Sequence, residues 1–218
     1  MSARIISLVV MLSLALICSA CKKKAPEPSS APPPPAPSTT EPAHPTASTS
    51  LPSSDPALLA ELGEPSEVAG YLIRPPKGYA RTTPPKGLPG TILVAYKGNP
   101  RADGTSPMVQ VMVATPSPGE APSDLDGLLN GMLQGVKNLH QNWTQTTPGR
   151  VNINGMTFLR TTWSGTESAI GKGWKMHGIM YVAFDGPGFI SMMTQDMEPH
   201  HEQPIKLADA ALRSFRKK

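Results

Sequence analysis

The chain has 218 residues, with 20 Lys and Arg against 16 Asp and Glu, 26 prolines and two cysteines. Both cysteines, Cys18 and Cys21, lie at the extreme N-terminus, which excludes a disulfide scaffold and any cysteine-ligated zinc or iron–sulfur site in the body of the chain. The small positive balance is dispersed from Arg74 to Lys218 and is not interleaved with aromatics, so nucleic-acid binding has no support.

Residues 1–21 read Met-Ser-Ala-Arg, then an apolar run from Ile5 to Ile17, then Cys18-Ser19-Ala20-Cys21, followed by Lys22-Lys23-Lys24. One positive charge, a run shorter than the ~20 residues that span a bilayer, and small residues before a cut site describe a signal peptide over residues 1–20. The ending resembles the lipobox of bacterial lipoproteins, with Ser19-Ala20 before an acceptor at Cys21; Cys18 stands where that pattern usually has Leu. Cys18 is itself a poor acceptor, because bulky Ile17 precedes it. The resemblance implies lipidation of Cys21 and anchoring in the membrane of a cell envelope. Lys22 takes the place of the Asp that retains some lipoproteins at the inner membrane, which favours the outer membrane. Several acyl chains together anchor a protein stably, at ~0.8 kcal/mol per buried methylene, where one chain alone does not.

Eleven of the 26 prolines fall between Lys22 and Ala57. From Ala25 onward this stretch is Pro, Ser, Thr and Ala with one large aliphatic residue, Leu51, so it lacks the apolar surface needed to offset ordering. Residues 21–57 are therefore expected to form a lipidated, disordered linker. A glycosylated stalk and a proline-rich ligand for a recognition domain are the rival readings of the same composition. Residues 58–218 are expected to form one domain.

The clearest helix is predicted over Asp124 to His140, where Leu125, Leu128, Leu129, Met132, Leu133, Val136 and Leu139 recur on one face. Ser123 is its expected N-cap. Gly127, Gly131 and Gly135 lie four apart and form a small-residue flank suited to close approach on a sheet. A second helix is predicted over Pro204 to Phe215, with Ile205, Ala208, Ala211, Leu212 and Phe215 inward. Strands are predicted at Val68–Arg74, Thr91–Lys97, Met108–Ala114, Thr146–Asn154, Met156–Trp163, Trp174–Phe184 and Phe189–Gln195. Asn154-Gly155 sets a two-residue turn that pairs Ile153 with Met156 and Val151 with Phe158. Asp185-Gly186-Pro187-Gly188 pairs Phe184 with Phe189. In this second hairpin Trp174, Met176, Met180, Val182, Phe184, Phe189 and Met193 share one face, and Ile179, Tyr181, Ala183, Ile190 and Met192 share the other. Two apolar faces need two covers. The expectation is an α+β fold, an antiparallel sheet sandwiched between helices in the order β-β-β-α-β-β-β-β-α.

In this order of elements, and in the phrases Gly70-Tyr71-Leu72-Ile73-Arg74-Pro75-Pro76-Lys77-Gly78-Tyr79, Asn154-Gly155 before Phe158 and Arg160, and Ala210-Ala211-Leu212-Arg213-Ser214-Phe215, the domain resembles the PsbP-like α/β/α sandwich. The resemblance covers about Val68 to Phe215. It implies protein binding rather than catalysis, at the level of fold analogy.

No Gly-x-Ser-x-Gly elbow, phosphate loop, dinucleotide fingerprint or His-Glu-x-x-His helix occurs. The segment from Met192 to Glu202 gathers thioethers, imidazoles and carboxylates, and Met193, Met197, His200 and His201 are the candidate ligands for copper or zinc. Against this, Met192 and Met193 point to opposite faces of a strand, as His200 and His201 diverge in their loop. His177, mid-strand, is read as a partly buried imidazole held by a neighbour; the rival is the base of an unrecognised hydrolase. Glu167 and Lys172 bracket a Gly/Ser-rich loop, Ser164 to Gly173, of the kind that connects strands or binds ligands. Trp143 and Trp163 are read as packing residues, or as interface anchors if exposed. The proline-rich stretch Pro75 to Pro89 carries Lys77, Arg81 and Lys86 and is read as solvated surface, or as a contact for anionic lipid or a partner. The expected protein is thus a membrane-anchored lipoprotein without cofactor or catalytic residues, whose domain binds or steadies another envelope protein through an exposed apolar patch. Envelope metal handling and hydrolysis are the alternatives.

Overall fold

The computed structural model describes residues 55–82, 90–117, 124–168 and 172–218. The signal peptide, Cys21, the linker up to residue 54, Lys86 and Ser123 lie outside the described residues. A short helix α1 (Pro56–Ala60) opens the domain, and β1 (Ser66–Val68), β2 (Tyr71–Ile73) and β3 (Ala80–Thr82) follow. Then come β4 (Thr91–Lys97), β5 (Met108–Ala114) and helix α2 (Leu125–Lys137). The chain continues through β6 (His140–Gln145), β7 (Gly149–Ile153), β8 (Met156–Glu167), β9 (Lys175–Asp185) and β10 (Gly188–Met197) to helix α3 (Glu202–Arg213) and β11 (Arg216–Lys217). No helix among the described residues is long and apolar enough to cross a membrane.

The main sheet has the order β3-β4-β5-β10-β9-β8-β6, and β7 shares with β6 the outer edge of β8. Every pairing is antiparallel. Both predicted hairpins have the expected register: Ile153 opposes Met156, Val151 opposes Phe158, and Phe184 opposes Phe189. Asn154 and Gly155 both take positive φ, 49° and 88°, as a tight two-residue turn requires.

The two faces of the sheet carry two separate cores. On one, Met180, Val182 and Met193 from β9 and β10 meet Leu128, Leu129, Met132 and Leu133 of α2. On the other, Ile179, Tyr181, Ala183, Ile190 and Met192 meet Ala208 and Leu212 of α3. This partition is the one set by period-two alternation. The second roof is larger than one helix, because Val68, Tyr71 and Ile73 of a small sheet β1-β2-β11 and Phe215 join the same cluster.

The structure corrects several element boundaries. Val68–Arg74 is not one strand: Ala69 and Gly70, at φ 51° and 82°, make a tight turn between β1 and β2. Helix α2 stops at Lys137 instead of His140, and its N-cap is Asp124, whose carboxylate accepts from the Gly127 N–H at 2.6 Å. The strand expected at Thr146–Asn154 is β7 alone, and β6 precedes it. Close approach does not explain Gly131, since a Cβ there would meet open space. It does explain Gly178, where a Cβ would lie 2.4 Å from the Trp163 ring.

These two glycines give substitutions of opposite sign. Gly131→Ala is expected to raise stability by about 0.5–1 kcal/mol through helix propensity. Gly178→Ala is expected to lower it by about 1–3 kcal/mol through overpacking. Urea unfolding of the two variants checks both.

Candidate functional site

The candidate site lies on the α3 side of the sheet, at the end where β9 begins and β10 ends. His177 on β9 has Ser164 of β8 and Asp196 of β10 as its cross-strand partners. Beyond Met197 the chain turns back, with the Glu198 N–H bonded to the Lys175 carbonyl and the His200 N–H to the Met197 carbonyl. This turn places Glu198 on His177: the ring Nε2–H donates to Oε1 at 2.7 Å, and Lys175 Nζ lies 3.7 Å from Oε2. The hydrogen bond from His177, with Lys175 and the imidazoles adding to it, holds the Glu198 carboxyl below the usual range against a small desolvation cost. His201, at the N-cap of α3, lays its ring flat on His177, with centroids 3.8 Å apart and planes 10° from parallel.

These rings close one end of an open groove of about 450 Å³. Its wall is a ladder of hydroxyls between β8 and β6 with the residue that follows it: Thr144 Oγ1 pairs with Ser164 Oγ at 2.7 Å, and Thr146 Oγ1 with Thr162 Oγ1 at 3.1 Å. Ile179 and Ile205 supply its apolar surface. Period-two geometry explains the ladder, since Thr162 and Ser164 share the face of Ile179 and His177. The intervening Trp163 points to the other side, where it stacks on Trp143 at 5.1 Å and takes the edge of His140. Trp163 is buried and Trp143 partly so; both are packing residues of the α2-side core.

Two ionic networks brace this side. Arg101 in the β4–β5 loop holds buried Asp196 with two parallel bonds of 2.7 and 2.6 Å. Arg101 also donates to Thr105, whose hydroxyl and N–H donate in turn to Asp103, lowering the Asp103 carboxyl. Nearby, burial pushes the Tyr79 hydroxyl up to about 12. Nearer the middle of the sheet, Tyr181 donates to Asp209 of α3 at 2.6 Å and accepts from Arg160 Nε at 2.9 Å, while Arg213 lies 3.3 Å from Asp209. Burial, with Asp209 adding to it, keeps that phenol protonated far above the ordinary range.

The four candidate metal ligands are dispersed. Met193 is buried under α2 and Met197 at the end of β10, while His200 Nε2 lies 3.8 Å from Asp103. His201 is committed to His177, and rings stacked face to face direct their nitrogen lone pairs in parallel instead of toward one ion. Among the described residues no group of three or more His, Cys, Asp or Glu is spaced to hold a metal. His177 is the half-buried imidazole held by a neighbour that its strand position suggests, although that neighbour, Glu198, could not be named from sequence. Ser164, directly across from it, shares a hydrogen bond with the Thr144 hydroxyl. Glu167 is buried at the end of β8, Lys172 stands 4.5 Å over the Trp174 ring, and Arg81 reaches Ser66; Lys77 is exposed. Among the described residues, the exposed large apolar side chains Leu59, Ile92 and Phe184 are distributed over α1 and both faces of the sheet. The groove was not visible as a motif; only the alternation of Ser and Thr on β8 signals it.

Neither a protein-family model nor a curated protein matches the chain. Solved structures do. Cyanobacterial PsbP (CyanoP) from Synechocystis sp. PCC 6803 aligns over 73% of this chain and 94% of its own length, with a TM-score of 0.52 at 14% identity. The fold is PsbP-like. A Pseudomonas aeruginosa protein of unknown function, PA94, aligns over 72% of this chain and 98% of its own at TM-score 0.40 and 11% identity. Within the PsbP-like sandwich of this chain, the groove sits between the β6–β8 edge of the sheet and the N-terminal half of α3.

His140 gives this edge of the site a pH dependence. Its Nδ1–H donates to the Val136 carbonyl at 2.7 Å, but burial dominates and lowers its pKa below 6.5, with Glu167 opposing. The unfolded chain therefore binds the proton more readily, so this contribution to stability is present above about pH 6.5 and is lost as pH falls through the lower folded pKa. The urea midpoint is expected to drop between about pH 7.5 and about pH 5.5, and His140→Phe is expected to flatten that drop.

Proposed function

We propose that this chain is a lipoprotein held at the cell envelope through lipidated Cys21, on the outer in preference to the inner membrane, whose domain binds a protein partner and catalyses no reaction. The observation that carries the reading is the groove. It is open, it is lined by paired hydroxyls, and it adjoins β6, the last strand of the sheet order. Such a surface combines neutral hydrogen-bonding groups with apolar side chains, which suits a polypeptide; an enzyme needs a nucleophile aligned with a base. The imidazole beside the groove is occupied by Glu198 and by the face of His201, and the nearest hydroxyl is paired with Thr144. The PsbP-like fold supports the reading by analogy alone. The apolar run at residues 5–17 and Ser19-Ala20-Cys21 support the anchor.

Two measurements test this. Cys21→Ser is expected to move the protein from the membrane pellet to the soluble fraction of fractionated cells; retention in the pellet would refute the lipid anchor. A photo-crosslinking amino acid at Thr144, exposed on the groove face, is expected to give one discrete protein adduct in native envelopes, identified by mass spectrometry, while the same group at Lys137, on the α2 side, gives none. Equal or absent adducts at both positions would refute the groove as the binding surface.

A further inference from the structure

Two Asn-Gly pairs occur in the chain, Asn130-Gly131 and Asn154-Gly155. This dipeptide invites one uncatalysed reaction, because glycine leaves the following backbone nitrogen unshielded. That nitrogen attacks the asparagine side-chain carbonyl carbon. The new C–N bond closes a cyclic succinimide, and the side-chain nitrogen leaves as ammonia, taking up the proton that the attacking nitrogen gives up. Water then opens the ring to aspartate or isoaspartate, so the net change is an amide exchanged for a carboxylate. Asn130 lies within α2, where helix geometry commits the Gly131 N–H to the preceding turn. Asn154 and Gly155 form the exposed tip of the β7–β8 hairpin, and a Cβ on Gly155 would meet open space.

At this tip the fold holds both reacting groups. The Asn154 side-chain N–H donates to the Phe215 carbonyl at 2.8 Å and to the Arg213 carbonyl at 3.3 Å. Both partners are acceptors, so the amide nitrogen and not its oxygen faces them. The Gly155 N–H, whose nitrogen is the nucleophile, donates to Asn152 Oδ1 at 3.1 Å. Asn154 must leave the end of α3 before its carbonyl carbon can meet that nitrogen. The same contacts give the reaction a consequence. Phe215 is fully buried in the α3-side core, with its ring 4.8 Å from that of Tyr71 and 6.4 Å from that of Phe158. Asn154 thus ties the hairpin to the segment that leaves α3 for β11. A carboxylate at this position would set oxygen against two carbonyl oxygens at the negative end of the helix dipole. Arg213, on the same turn, is already engaged by Asp209 at 3.3 Å.

We propose that Asn154 is a deamidation site held in check by the fold: it converts when the β7–β8 turn opens, and the converted chain no longer closes fully over Phe215. The proposal involves neither the groove nor a partner. Peptide mass mapping of the full chain, aged in buffer and in urea, tests its first part. In urea, Asn154 and Asn130 are expected to convert well ahead of Asn138 and Asn142, which precede Leu139 and Trp143. In buffer, Asn154 is expected to convert several-fold more slowly than in urea. Asn152→Ala, which frees the Gly155 N–H, is expected to speed conversion of Asn154 in buffer and to leave Asn130 unchanged. Urea unfolding tests the second part. Asn154→Gly keeps the positive φ and removes only the donor, whereas Asn154→Asp adds the carboxylate. The midpoint is expected to fall in both and further in Asn154→Asp, with the Ser214 and Phe215 amide signals shifted in 1H–15N spectra. Equal rates at Asn154 in buffer and in urea, or equal midpoints for the two variants, would overturn the proposal.

Discussion

A sheet that is apolar on both sides cannot exist in water without two roofs, and that constraint organises this molecule. Strands β9 and β10 alternate aliphatic and thioether side chains so that neither face is polar. Burial of each large apolar side chain contributes roughly 1.5–3 kcal/mol, so leaving either face bare would cost more than the whole margin of a typical domain. The chain meets the demand with α2 between β5 and β6 and α3 after β10, one per face, and the two cores touch only through the sheet. Polar groups on the α3 side are admitted where they are paired: Asp196 by Arg101, and Tyr181 by Asp209 and Arg160. Breaking such a buried pair is costlier than the pair is stabilising, which suits it to fixing one arrangement of helix on sheet.

The groove follows from where that constraint relaxes. Toward the β6 edge the α3-side positions change from Tyr181 and Ile190 to Thr162, Ser164 and His177, so α3 has little aliphatic surface beyond Ile179 there to close upon. His201 at the start of α3 meets His177 instead, and the sheet and helix part into an open cleft. The same small polar residues that leave the cleft open furnish its hydrogen bonds. A cleft at the margin of a core needs no strained geometry.

Much of this was legible in the sequence because the signals were local and periodic. Asn154-Gly155 and Gly186-Pro187 fixed two registers, and the alternation around them assigned each side chain of β9 and β10 to its helix. Strand β6 was not legible. It contains a bulge between Gln141 and Thr144, with Asn142 at φ 51°, so its inward residues His140 and Trp143 fall three apart and show no period of two. The turn at Ala69-Gly70 was missed because Ala seldom takes positive φ. The contact of Glu198 with His177 has no local signature: it exists only once β9 and β10 are in register and the chain after Met197 has folded back. The hydroxyl ladder was half legible, since Thr162 and Ser164 on β8 follow the alternation, while Thr144 lies on the strand that was not seen and Thr146 falls between β6 and β7 instead of opening a strand.

The most direct test of the two-roof account charges one buried leucine under each helix. Leu129 of α2 and Leu212 of α3 are 1% and 0% exposed. If both faces depend on their covers, Leu129→Asp and Leu212→Asp each abolish the cooperative urea transition and expose surface that binds a hydrophobic dye, because each combines a lost aliphatic contact with a buried charge. A wild-type midpoint in either variant would show that its face stands without a roof, and would contradict the account.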